Sequence, residues 1–270
     1  MSLSFQFVLP LVTLSLAFAS AQEPPSVVVR TTETSVITSS TVVRDKGATR
    51  NIEIRAVLQD PMNPGAAFQV QIAPTVFDKL QLVAEGLSVA MKISVTDNTV
   101  ALYGPKAGDP KTGPPLVANA VVAPGVERCL LVIVPEPAGS KLPYHLVVLD
   151  DTGKAFPFGE SRVVNLTDVA LGMQAGATRL SLPAHSVSPL PLIKDVNEYH
   201  MGQTNFYAKS GNGDQWMPFA ERQVQYLETV RRISLIDVTP GAVAPTVRTV
   251  IDHVPFTPPA PAGGPTAKAR

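Results

Sequence analysis

A single cysteine, Cys129, stands in a chain of 270 residues, so no disulfide can form within it. That excludes the small disulfide-stapled folds of secreted proteins, and an exported chain without disulfides fits a bacterial envelope better than a eukaryotic secretory route. Cys129 sits in the run Arg128-Cys129-Leu130-Leu131-Val132-Ile133-Val134, where its apolar neighbours make it a buried small hydrophobe rather than a reactive thiol. Charge is scarce as well: charged residues make up 16% of the chain, and 22 basic residues balance 22 acidic ones. No net field is left to draw the protein onto nucleic acid or an anionic membrane surface. The four histidines are His145, His185, His200 and His253, none at a metal-ligating interval from another. Gly-x-Ser-x-Gly is absent, so there is no nucleophile elbow. Ser186 follows His185, but neighbours in a chain seldom point at each other. Asp150-Asp151 and the pair Asp195/Glu198 read as solvated turn carboxylates. Gly211-Asn212-Gly213 opens no helix and makes no phosphate loop. These absences predict no cofactor, no metal and no catalytic machinery.

What is present points outward from the cytoplasm. An apolar stretch from Phe5 to Phe18 leads into Ala19-Ser20-Ala21, and the first charged side chain is Glu23. The pattern predicts a signal peptide over residues 1–21, cleaved after Ala21. The stretch is short for a membrane span and carries Pro10, although the lack of a basic residue before it leaves an uncleaved anchor as the alternative. No later segment approaches spanning length. The expectation is an exported protein, periplasmic or extracellular, without stable membrane insertion after cleavage.

Prolines number 26, which disfavours long helices and suits short strands between turns. A Thr-rich leader covers residues 22–34. Strand patterns follow at 35–43, 50–58, 67–73, 79–84, 87–95, 99–104, 115–122, 128–135 and 144–150. A short helix competes between Pro74 and Gly86, where Val76, Leu80 and Val83 fall at helical spacing. Asp150-Asp151-Thr152-Gly153 opens a linker at 151–160. A second series runs at 161–166, 169–174, 178–182, 187–193, 200–209, 215–227, 231–238 and 246–252. The Pro/Ala/Gly tail at 255–270 has too little apolar surface to order itself. The fold class is all-β, with two antiparallel β-sandwich or barrel-like domains in tandem at 35–150 and 161–254. No sequence repeat links the halves.

The run Phe156-Pro157-Phe158-Gly159-Glu160-Ser161-Arg162-Val163-Val164-Asn165-Leu166-Thr167 resembles an uncharacterised family of small exported bacterial proteins. In that family an Arg-x-x-Asn-Leu-Thr strand opens a β domain, and an apolar strand after paired arginines closes it. Arg231-Arg232-Ile233-Ser234-Leu235-Ile236-Asp237 is the corresponding closing strand. The resemblance covers residues 156–253 and implies an exported β fold with no assigned activity. Asn165-Leu166-Thr167 also has the form of a glycosylation acceptor, but within a strand it reads as structural.

Asn212-Gly213 between two strand patterns predicts a two-residue hairpin turn. The register then sets Lys209 opposite Trp216, Ala208 opposite Met217 and Phe206 opposite Phe219. Phe206, Ala208, Met217 and Phe219 fall on the core side, and Tyr207, Lys209 and Trp216 on the other. Trp216 is the only tryptophan. It either covers a neighbouring strand with Lys209 across its ring, or offers an aromatic platform to a glycan or protein partner.

Three functions compete. The first is a non-catalytic structural or protein-interaction module of a bacterial envelope. The second is a carbohydrate-binding module using Tyr207 and Trp216, for which 6% aromatics is sparse. The third is a hydrolase with a site at the domain interface. A fibre-chaperone arrangement would need Arg162, Arg231 and Arg232 to converge beside an open edge strand.

Overall fold

The structure is a computed structural model and describes residues 35–36, 47–105, 113–209 and 215–255. The expected signal peptide, the leader, most of the first candidate strand, the Asn212-Gly213 turn and the tail from residue 256 lie outside the described residues.

Among the described residues there is no helix, and therefore none long and apolar enough to cross a membrane. The strands are β1 (Ser35–Val36), β2 (Thr49–Leu58), β3 (Phe68–Ala73), β4 (Val76–Leu80), β5 (Met91–Thr96), β6 (Thr99–Tyr103), β7 (Leu116–Val121), β8 (Arg128–Pro135) and β9 (Tyr144–Asp150). They continue with β10 (Ser161–Asn165), β11 (Leu171–Ala175), β12 (Thr178–Leu182), β13 (Ser186–Leu190), β14 (Met201–Lys209), β15 (Trp216–Gln225), β16 (Val230–Asp237) and β17 (Thr246–His253). The competing helix near residue 80 is a strand that ends earlier than predicted. After β4 the chain leaves the sheet, turns at Glu85 with φ of 58°, touches β2 through Ser88 and Ala56, and resumes as a strand only at Met91.

Each half is a sandwich around its own core. In the first, β2 alternates so that Ile52, Ile54, Ala56 and Leu58 meet Phe68, Leu102 and Leu131. Asp97-Asn98, at φ of 53° and 56°, form the tight turn joining β5 to β6, and positive φ at both residues matches the twist of the flanking strands. In the second, Val163, Met173, Leu182, Phe206 and Ile236 fill the space between the sheets β13-β10-β16-β17 and β12-β11-β14-β15. Neither half closes into a barrel.

The halves follow one plan. In each, the first strand pairs antiparallel with the fourth and parallel with the seventh, and the seventh pairs antiparallel with the eighth. The second strand pairs with the third and fifth, and the fifth with the sixth. The sequence carries no repeat, yet the topology does. The parallel pairs β2–β8 and β10–β16 correct the expectation of purely antiparallel sheets. Parallel strands are usually buried on both faces and read as unbroken apolar runs. Leu130 to Ile133 are fully buried in β8, and β16 is buried from Val230 to Ile236.

Two boundaries differ from the sequence reading. β1 pairs with β13, so residues 35–36 join a sheet of the second half. The stretch 151–160 is not a solvated linker: Asp151 and Phe156 are buried. A third core explains this, in which Val57, Leu130, Val132, Val147 and Leu149 pack against Phe156, Val164, Ile233, Leu235 and Val250. The halves stack sheet on sheet within one compact unit.

Candidate ligand-contact surface

The outer sheet of the second half turns one face to its core and the other to solvent. Alternation along β14 puts Thr204, Phe206 and Ala208 inward and Gln203, Asn205, Tyr207 and Lys209 outward. Lys209 faces Trp216 and Ala208 faces Met217, as the register predicted. Tyr207 faces Pro218 in the same register, but the prediction fails at Phe206, which faces Ala220 instead of Phe219. Phe219 is the extra residue of a bulge, placed beside Pro218, which has no N–H for the ladder. Met217, expected in the core, is 49% exposed.

Trp216 is half-buried, with its six-membered ring over Gly172 of β11. A Cβ on that glycine would lie 3.4 Å from the tryptophan Cζ3 and 3.6 Å from Cε3. Tyr207 pairs with Gly172 and flanks the ring, and the Lys209 ammonium lies 5.6 Å from its centroid. Tyr207, Lys209 and Trp216 therefore share one face. Sequence reasoning missed the polar row beside them. Gln223 Nε2 donates to Gln203 Oε1 at 2.7 Å, Gln203 Nε2 to Asn205 Oδ1 at 2.7 Å, and Asn205 Nδ2 to the Tyr207 hydroxyl oxygen at 3.3 Å. Three carboxamides and a phenol form a chain of bonds running one way.

A group of charged side chains is engaged inside the molecule. Arg55 of β2 donates to both Asp151 oxygens at 2.8 and 2.9 Å and to both Asp252 oxygens at 2.9 and 3.0 Å. Arg231 reaches the same two carboxylates, binding Asp252 through Nε at 3.0 Å and lying 3.0 Å from Asp151. Burial alone would push the Asp252 carboxyl up, but the two guanidinium groups outweigh it and hold the group below its ordinary range. Asp151, read from sequence as a solvated turn former, is 1% exposed at the centre of this network. Arg162 and Arg231 sandwich the Phe156 ring, each 4.6 Å from its centroid. Arg232 points the opposite way, over Tyr226 at 5.7 Å. The three arginines do not converge on one open site.

Among the described residues, no group of three His, Cys, Asp or Glu side chains could hold a metal. The Ser186 hydroxyl donates to the Pro183 carbonyl at 2.6 Å, and His185 instead lies 2.8 Å from Asp168. Burial pushes the Cys129 thiol up to about 12, so it stays protonated and inert. A cleft of about 390 Å³ opens where both halves meet, lined by Gln59, Asp60, Glu85 and Arg248 among others. There Asp60 Oδ1 accepts from the Met62 and Asn63 amides, and Oδ2 accepts from the Tyr144 hydroxyl. Its carboxylate is engaged as a loop cap. No family model matches the chain, and no curated protein matches it.

Proposed function

We propose that the protein is an exported, non-catalytic interaction module of a bacterial envelope that contacts its partner through the outward face of β11, β14 and β15. The observation that carries this reading is Trp216 laid over Gly172 beside Tyr207. The other face of the same sheet already supplies the core, so the area of this ring is spent on the outside, where a partner can complete its burial. Export rests on the apolar N-terminal stretch and its Ala19-Ser20-Ala21 end.

Two measurements test the reading. N-terminal sequencing of mature protein should begin at Gln22, and a chain that begins at Met1 or Ser2 removes export by cleavage. Purified protein should sediment with the producing organism's envelope fraction, and Trp216→Ala should lose that sedimentation while keeping its melting temperature. Equal sedimentation of the variant overturns the surface assignment.

A further inference from the structure

Resting on the contact surface proposed above, we infer that its ligand is a neutral glycan chain laid along β14. The row Gln223–Gln203–Asn205–Tyr207 is the reason. Each carboxamide nitrogen in it spends one N–H on the next side chain and keeps a second for a ligand. Gln223 Oε1 accepts no bond from the described residues, and the Tyr207 hydroxyl hydrogen is not used by the row. The internal bonds fix which way every amide points, so the outward donors and acceptors are set before anything binds. A sugar hydroxyl both donates and accepts, and can meet such a row without leaving a polar atom unpaired. An apolar protein surface pressed onto the same row would strand those groups at a cost in affinity.

The platform stands at one end of the row. Tyr207 belongs to both, and the Trp216 ring rests on Gly172 with the Lys209 ammonium over it. A flat ring lying on a sheet suits the C–H face of a pyranose, and the amides suit its hydroxyl edge. From Gln203 to Lys209 the strand advances six residues, about 20 Å at roughly 3.4 Å each. That length suits an oligosaccharide rather than a single sugar. Charge selects against a polyanion: the sheet carries Glu221, which pairs with Asn205, as well as Lys209 on β14 and Arg179 three strands away. Such a mixed face offers no row of cations for phosphates or sulfates.

Trp216 is the only tryptophan, so its emission reports on the platform directly. Soluble xylan, mixed-linkage β-glucan and galactomannan would be titrated as neutral probes, with dextran sulfate as the polyanion. A saturable blue shift with a neutral polymer is expected. By calorimetry, the double variant Gln203→Ala/Gln223→Ala should then bind at least tenfold more weakly at an unchanged melting temperature. A shift with dextran sulfate alone, or full affinity in the double variant, overturns the inference.

Envelope sedimentation separates this inference from the reading beneath it. Trp216-dependent sedimentation that is abolished by periodate oxidation of the envelope supports the glycan. If it survives periodate and is abolished by protease, the glycan falls and the contact surface stands. If no Trp216-dependent sedimentation occurs, both fall.

Discussion

Asn165 holds a corner of the second half together through one side chain. Its Nδ2 is shared among the carbonyls of Val169, Leu182 and Pro183 at 2.8–3.0 Å, and its Oδ1 accepts from the Thr167 amide and hydroxyl. The residue is fully buried, so a bulky modification has no room on that nitrogen. Asn165→Ala would strand several buried groups at once and should cost about 3 kcal/mol in chemical denaturation, with a folded spectrum retained at low temperature. Arg231 has a different role, because removing it leaves carboxylates instead of carbonyls. Arg231→Met should cost about 3–5 kcal/mol, since Asp151 and Asp252 then share Arg55, and only the half-exposed Arg128 is left beside it at 3.9 Å from Asp151. The same network fixes a pH dependence. Asp252 titrates below its ordinary value of 3.8 in the folded protein, so its contribution is complete above that value and is lost as pH falls through the folded one. Melting temperature should hold down to about pH 4 and drop below it, and Asp252→Asn should flatten that drop while lowering stability at neutral pH. An equally steep acid drop in Asp252→Asn would show that other carboxylates control it.

At the scale of the element, the outer sheet depends on what glycine leaves out. A methyl group at Gly172 would sit 3.4 Å from Trp216, an ordinary contact, whereas the branches of valine would reach into the ring. Gly172→Ala should therefore leave the emission maximum in place, and Gly172→Val should red-shift it by lifting the indole into water. No red shift with valine would remove Gly172 as the seat of the platform. The strand pattern was largely legible because one-sided burial writes itself as alternation, as in Ile52, Ile54, Ala56 and Leu58. Doubly buried strands were also legible as elements, but not as partners: nothing in Cys129–Val134 says that β2, far earlier in the chain, lies parallel beside it. The face of Trp216, Tyr207 and Lys209 followed from turn chemistry at Asn212-Gly213, and the register held until the bulge at Phe219. The amide row stayed hidden because Gln203 and Asn205 look like any solvent-facing positions until Gln223 is seen across the sheet. Asp151 misled for the same reason, since its partners Arg55 and Arg231 come from both halves of the chain.

For the whole molecule, the question is whether two copies of one topology behave as two domains. Each half has its own core, which favours independence, but the layer between them changes the balance. Leu130, Val132 and Leu149 on one side and Ile233, Leu235 and Val250 on the other are all at most 5% exposed. Separating the halves would bare both apolar sheet faces and also break the Arg55 bridge to Asp252, which crosses the same layer. At about 25 cal/mol per Å² of apolar surface, exposing even a few hundred Å² costs as much as a small domain's whole stability. Neither half can therefore unfold without destabilising the other. Calorimetry should give one transition, with the calorimetric and van't Hoff enthalpies equal, and residues 47–150 expressed alone should aggregate through the uncovered face of β8 and β9. Two resolved transitions, or a soluble monomeric fragment with native-like dispersion, would mean that the shared layer is a contact between finished domains rather than a core they hold in common.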